Sequence, residues 1–237
     1  MSDIVKISWS GGKDSTASVI LHLIKGDKCK VVYYIPYLVE NIPLIFPEHY
    51  NFIQNTAKKF ETMGCDVYQV KGVTYWEHVH AVKTKGINRG NYRFYGLGLG
   101  FCLFRNYSKI SALNKINVGY FDYQDIGIAF DEIERQDQLT NKKRSILAEN
   151  KITEKNAKQI CECFGLLSPN YKESNRDGCA ICPNAPEYRI NDYIKAYPEA
   201  KQILTDIDIF CSQNGCGFYP FRNSQNFTDR MKILTLF

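Results

Sequence analysis

The order of strand-like and helix-like stretches predicts an α/β fold, a doubly wound and mostly parallel sheet with a smaller C-terminal region, and three observations carry that expectation. Alternating residues from Asp3 to Trp9 stop at Ser10-Gly11-Gly12, and apolar residues at helical spacing follow (Ala17, Ile20, Leu21, Leu23, Ile24). Lys30 to Tyr37 is a β-branched and aromatic run that suits a strand buried on both faces, and Pro47 to Met63 reads as a helix with proline in its first turn. Cys65 to Val70 then gives a third strand. Strands alternating with helices need right-handed crossovers and place helices on both faces. Such a sheet binds its ligand beyond the carboxyl ends of its strands.

Further along, Trp76 to Lys85 predicts a helix, and Gly86, Gly90, Gly96, Gly98 and Gly100 among basic and aromatic residues predict a flexible loop. Phe101 to Leu113 reads as a helix, Asn117 to Phe121 and Asp125 to Phe130 as strands, and Thr153 as the cap of a helix running to Phe164. Beyond about Leu166 the pattern changes, with three prolines and a close cysteine pair between Ser168 and Pro186, then one or two short helices and an aromatic tail. The expected division is an α/β domain over residues 1–165 and a Cys-containing region over residues 166–237.

A chain of 237 residues can bury a large core, and its net charge of +5 fits an anionic ligand without demanding a nucleic-acid footprint. Nine cysteines in a chain of this size, with no charged-then-apolar leader, predict a reducing cytoplasmic setting in which cysteine clusters serve metal or redox chemistry. No apolar run approaches the roughly 20 residues a membrane span needs.

The segment Ser10-Gly11-Gly12-Lys13-Asp14-Ser15 lies between a strand and a helix. Successive backbone N–H groups there can curl around a phosphate, and the start of the helix adds its positive end. Side chains at Gly11 and Gly12 would block close approach, Ser10 and Ser15 supply hydroxyls, Lys13 a charge, and Asp14 a direct or indirect hold on magnesium. The spacing is not that of the Walker loop, so a different phosphate chemistry is implied.

Placed directly after the first strand, S-G-G-K-D-S resembles the PP-loop of the ATP pyrophosphatase (nucleotide α-hydrolase) superfamily. Ile45-Phe46-Pro47-Glu48, Cys102 to Lys109, Ile126 to Arg135, Ile152 to Lys155 and Gly178 to Pro183 occur in the order used by its phosphoadenosine phosphosulfate reductase-like branch. The resemblance covers roughly residues 3–200 and implies the adenine nucleotide α-hydrolase-like fold. It implies ATP and Mg2+ as ligands, held by Ser10 to Ser15 with Thr16, and adenine read near Tyr33 to Ile35. It implies cleavage of ATP between the α- and β-phosphates, with an adenylylated acceptor that a sulfur or nitrogen nucleophile then displaces. Lys13 and Asp14 carry the catalytic expectation. Asp131 joins them, against its alternative as an acid at a solvated helix start.

The pair Cys179 and Cys182 can place two thiolates on one metal or cluster. By the resemblance Cys102 joins them. The fourth ligand is taken as Cys216, with Cys211, Cys161 and Cys163 as alternatives. An iron–sulfur cluster is the first expectation and zinc the second, while buried hydrophobes or a redox dithiol remain open; Cys29 and Cys65 read as ordinary strand residues. Lys83, Lys85, Arg89 and Arg93, with Tyr92, Phe94 and Tyr95, can close over phosphates, face a nucleotide acceptor, or form a mobile loop. His22, His49, His78 and His80 show no metal spacing with the cysteines and read as packing or surface residues.

Three functions follow. The first is an ATP pyrophosphatase that adenylylates an acceptor for sulfur incorporation, similar in outline to the enzymes of DNA phosphorothioation and tRNA thiolation. Its partners are an acceptor, nucleic acid or small molecule, a sulfur-donor protein and, as a further option, a second copy of the chain, with no membrane. The second is a sulfonucleotide reductase, opposed by the full phosphate loop and by the absence of a Glu-Cys-Gly-Leu/Ile-His segment and of an adjacent Cys-Cys pair. The third is a non-catalytic nucleotide-binding module.

Overall fold

The structure, a computed structural model, describes residues 2–98, 101–137, 139–172, 178–186, 188–221 and 224–232. Gly100 of the glycine-rich stretch and the tail at 233–237 lie outside them. The strands are β1 (Ile4–Trp9), β2 (Lys28–Tyr34), β3 (Tyr37–Val39), β4 (Ile42–Pro43), β5 (Asp66–Val70), β6 (Leu97–Gly98), β7 (Phe101–Cys102), β8 (Tyr123–Ile126) and β9 (Lys143–Arg144). The helices begin with α1 (Lys13–Lys25), α2 (Pro47–Thr62), α3 (Tyr75–His80), α4 (Leu103–Arg105) and, after a π turn, α5 (Ser111–Lys115). They continue with α6 (Ile133–Gln136), α7 (Ile146–Glu149), α8 (Glu154–Cys163), α9 (Tyr188–Ala196), α10 (Glu199–Gln213) and α11 (Phe227–Lys232). No helix among the described residues is long and apolar enough to cross a membrane.

Two compact units share the chain and interleave along it. The first comprises Met1–Tyr34, Glu48–Val70 and Leu113–Asp177, and the second Ile35–Pro47, Lys71–Ala112 and Gly178–Phe237. A single cut near residue 165 does not describe this arrangement.

The first unit is an α/β layer around a five-stranded parallel sheet of order β5-β2-β1-β8-β9, consistent with a doubly wound sheet. The order runs outward from β1 in one direction through β2 and β5, then reverses through β8 and β9. The crevice for a ligand in such a sheet opens at that reversal, beyond the carboxyl ends of β1 and β8. Val5, Ile7 and Trp9 of β1 are buried, and the Trp9 ring meets Tyr33 and Phe60 edge-on at 5.5 and 5.2 Å. Helix α1 packs on α7 and α8 through Ala17, Leu147, Ala157 and Cys161. Intervening β1 residues are polar: the buried Lys6 ammonium donates to the Leu113 carbonyl at 3.1 Å, and burial lowers its pKa.

Four helices end the same way, and the sequence shows why. Gly26, Gly64, Gly165 and Gly215 follow α1, α2, α8 and α10 with φ of 82°, 90°, 62° and 75°, the left-handed region that glycine reaches without steric cost. The next residue's N–H reaches back to the carbonyl five positions earlier: Asp27 to His22, Cys65 to Phe60, Leu166 to Cys161 and Cys216 to Cys211. This Schellman closure brings the side chains of each such pair together. At α1 the pair is His22 and Asp27, 2.8 Å apart, with Asp125 3.2 Å from the other ring nitrogen.

The second unit is held by a buried aromatic and aliphatic cluster that includes Tyr75, Phe104, Tyr193, Leu204, Ile207 and Phe227. Asp208 of α10 is buried and accepts from Tyr95 Oη, the amides of Phe227 and Thr228, and Thr228 Oγ1, so it caps α11 from another element.

Several expected elements differ: the helix expected from Phe101 begins at Leu103 after β7, and the strand expected to reach Tyr37 ends at Tyr34. The helix at Trp76 to Lys85 stops at His80, because Ala81 turns extended and Arg93 and Lys83 pair with Ala81 and Asn91 across a hairpin-like arm. Asn117 to Phe121 is not a strand, since the Asn117 side chain accepts from the Gly119 amide and the Val118 carbonyl accepts from Lys30 Nζ. The strand expected at Asp125 to Phe130 begins at Tyr123 and ends at Ile126, where Gly127 meets the start of α1.

Candidate functional site

Residues 10 to 15 form the turn from β1 into α1. Gly12 is the N-cap of α1, extended at φ −75° and ψ 158°, and has no side chain of its own to cap the helix. Its first amides therefore remain directed at whatever lies before the helix. Gly11 sits at φ 80°, and a Cβ there would stand 2.7 Å from Ile53 Cγ1 and 3.0 Å from His49 Cε1 of α2. A Cβ on Gly127 would stand 2.6 Å from the Ser15 nitrogen. The turn is thus clamped from two sides by contacts that only glycine permits. Gly127, just past β8, belonged to a matched segment but carried no role in the sequence.

Within the turn, Ser10 N–H donates to Ser15 Oγ at 3.1 Å, the two hydroxyl oxygens are 3.1 Å apart, and Ser15 Oγ donates to the Gly12 carbonyl at 3.1 Å. The Lys13 amide donates to Tyr171 Oη at 3.2 Å. Lys13 Nζ is 2.9 Å from Asp14 and 2.8 Å from Glu154. Burial opposes the Lys13 charge, but hydrogen bonds to Glu154 and Asp14 outweigh it and raise the ammonium pKa. Burial raises the Asp14 carboxyl, with Lys13 pulling the other way.

The ligand oxygens of Asp14, Glu132 and Glu154 lie within 4.8 Å of one another, a set of hard oxygen donors that suits Mg2+. Asp131 is placed elsewhere. Its Oδ1 accepts from the Glu154 amide at 3.0 Å, the helix-start role, while the next residue, Glu132, turns back to the loop and accepts from the Ala129 amide. The one-residue difference is set by the tight turn after β8, which alternation alone does not register.

Thr16 is fully buried and its Oγ1 accepts from Trp9 Nε1 at 2.9 Å, so its side chain serves the core and not a ligand. Tyr33 donates to Gln69 Oε1 at 3.2 Å, and Ile35 is a buried residue of the second unit. His49 bonds to Ser168 at 3.0 Å, His80 Nδ1 is 2.8 Å from the Trp76 carbonyl, and His22 lies between two aspartates, so each packs as expected.

In the second unit Cys182 lies close enough to bear on the ionisation of both Cys102 and Cys179, and Cys102 on that of Cys179. Cys102 caps α4, its Sγ accepting from the Arg105 amide at 3.3 Å, and the Cys182 amide bonds to the Cys179 carbonyl at 3.1 Å. Burial pushes the Cys179 thiol up to about 12 and raises that of Cys102. Three sulfurs suit a soft metal centre. Zinc needs sulfurs about 3.8 Å apart, from tetrahedral bonds of about 2.3 Å. An iron–sulfur cluster is bound by the same thiolates, so the donor set by itself suits either. Cys216 is engaged elsewhere, beside Cys211. Cys161 bonds to the Lys13 carbonyl and Cys163 is exposed, both in the first unit. Comparison of the sequence with family models and with curated proteins gives no match.

Proposed function

We propose that the chain is an ATP pyrophosphatase that adenylylates an acceptor and serves sulfur incorporation. The observation that carries this reading is the clamped turn: two glycines, two serines, a lysine and an aspartate at the start of a 13-residue helix, where the strand order reverses. In the reaction an acceptor oxygen attacks the α-phosphorus, the bond to the β-phosphate oxygen breaks, and pyrophosphate leaves. Charge grows on the leaving group as that bond lengthens, so fixed donors around it lower the barrier. The Ser10 and Ser15 hydroxyls and the amides after Gly11 supply the donors, and Lys13 supplies the charge.

Asp14, Glu132 and Glu154 are the residues that would hold Mg2+, which shields the phosphate oxygens when bound. Phosphate oxygens would replace Tyr171 Oη on the Lys13 amide. Cys102, Cys179 and Cys182 would hold an iron–sulfur cluster, which supplies redox and sulfur-binding chemistry. A sulfur nucleophile then displaces AMP from the adenylylated acceptor.

The test is incubation with Mg2+ and ATP labelled at the α-phosphate. Labelled AMP or a labelled acceptor, with release of pyrophosphate, is expected. Recovery of unchanged ATP would leave a nucleotide-binding module, and release of sulfite from a sulfonucleotide with no turnover of ATP would leave a reductase. Anaerobic preparation should give a brown protein; a colourless one with stoichiometric zinc would remove the cluster.

A further inference from the structure

Outside both sites, α10 ends in the sequence Cys211-Ser-Gln-Asn-Gly-Cys216, and its closure is the Schellman motif in which both paired positions are cysteine. The Cys216 amide bonds to the Cys211 carbonyl at 2.9 Å and the Gly215 amide to the Ser212 carbonyl at 3.3 Å. With about 1.5 Å from Cα to N and about 2.4 Å straight across from Cα to O, that 2.9 Å contact holds the two Cα atoms to at most about 6.8 Å, the upper edge of the range a disulfide spans. The closure brings the two side chains together, close enough for each to perturb the other's ionisation. Access is asymmetric: Cys211 is 1% exposed while Cys216 is half-buried, its Sγ donating to the Phe218 carbonyl at 3.3 Å. The other close pair, Cys29 and Cys65, is buried at both ends and offers no such access.

We propose that Cys216 and Cys211 form a reversible disulfide, with Cys216 as the attacking sulfur and Cys211 as the resolving one, and a hydroperoxide as oxidant. The Cys216 thiolate attacks a peroxide oxygen, the S–O bond forms, the O–O bond breaks, and hydroxide leaves to become water. The Cys211 sulfur then attacks the sulfenic sulfur, the S–S bond forms, the S–O bond breaks, and hydroxide takes the Cys211 proton as a second water. Each sulfur gives up one electron, and the peroxide is reduced by two. Cys216 is the partly exposed sulfur and Cys211 the buried one, so a peroxide arriving from solvent meets Cys216 first. Closure adds a covalent link across four intervening residues at the end of α10, where the backbone already has the required fold.

The experiment treats the full chain, as purified and with its metal content measured, with hydrogen peroxide, then blocks free thiols with iodoacetamide and digests with trypsin. Both cysteines fall in one peptide, residues 202–222, because no lysine or arginine lies between Lys201 and Arg222. The expected product is that peptide unalkylated and two hydrogens lighter, returned to the doubly alkylated form by dithiothreitol. Before oxidation Cys216 should alkylate at least about ten-fold faster than Cys29. Cys216→Ser should abolish the lighter peptide and leave Cys211 alkylatable. Cys211→Ala should stop at a sulfenic acid on Cys216 that dimedone captures, a readout independent of any loss of packing. A peptide that stays doubly alkylated after oxidation overturns the proposal. So does a Cys216 protected until iron or zinc is chelated, which would make it a metal ligand.

Discussion

Lys13 lies between two carboxylates, and its ammonium charge is held by them in place of a ligand. A bound triphosphate offers the same side chain a stronger anion, so Lys13→Ala should lower turnover by about 10²-fold or more. Asp14→Ala should have a similar effect through loss of a magnesium ligand. Neither side chain belongs to the apolar core, so the thermal midpoint should stay close to that of the parent; a calorimetric scan beside the pyrophosphate assay checks both halves of the expectation. His78 makes the opposite kind of statement. It is fully buried, neither ring nitrogen has a hydrogen-bond partner, and its edge packs on the bare Cα of Gly96. Burial, with the Arg93 charge adding to it, lowers its pKa from 6.5 to about 4. The unfolded chain therefore binds a proton that the folded one refuses. Stability from this residue is complete above the unfolded value and falls as pH drops from about 6.5 toward 4, by roughly 3 kcal/mol at most. Urea titrations at stepped pH check it, and His78→Leu should flatten that slope. His22 runs the other way, because burial is outweighed by Asp125 and Asp27 and its pKa is raised. Its contribution is full below 6.5 and is lost as pH rises through the raised value.

At the scale of elements, the contact of Tyr171 with the Lys13 amide ties the turn at Pro169–Lys172 to the start of α1. An incoming phosphate must break that bond before it gains the amide. Tyr171→Phe should therefore tighten ATP binding by up to about five-fold, the worth of one neutral hydrogen bond of about 1 kcal/mol, measurable by titration calorimetry. Weaker binding in that variant would instead make the hydroxyl a ligand contact. Elements whose ends carry a chemical stop signal were legible in the sequence: β1 before Gly11, α1 before Gly26, α2 between Pro47 and Gly64, and α8 between Thr153 and Gly165. Those whose limits depend on distant partners were not. The arm after α3 pairs with residues seven to twelve positions away, and β8 ends where Gly127 meets another helix. The candidate site divides along the same line. Ser10 to Ser15 is contiguous and legible along the chain, whereas Glu132 and Glu154 reach Asp14 only through folding, and nothing in the order of residues separates Asp131 from its neighbour Glu132.

At the scale of the whole molecule, the interleaving of the two units decides what a truncation does. A chain ending at residue 177 keeps residues 35–47 and 71–112 but loses Ile181, Tyr193, Leu204, Ile207 and Phe227 from the cluster that buries Leu38, Leu44, Tyr75 and Phe104. Exposing that apolar surface costs about 25 cal/mol per Å2. The shortened chain is expected to bind a hydrophobic dye and aggregate, although every strand of the five-stranded sheet is still present. A monodisperse, dye-negative product on gel filtration would show that the second unit is dispensable.

The same interleaving sets an order of events during synthesis. When the ribosome has delivered enough polypeptide to finish the parallel sheet with β9, two stretches destined for the other unit have already emerged, and their packing partners from residue 178 onward have yet to be translated. Apolar side chains such as Leu38 and Tyr75 must wait in that interval without their final neighbours. The nascent protein is thus an obligate late assembler, most exposed to misassociation or capture by a holdase chaperone just before its last quarter appears.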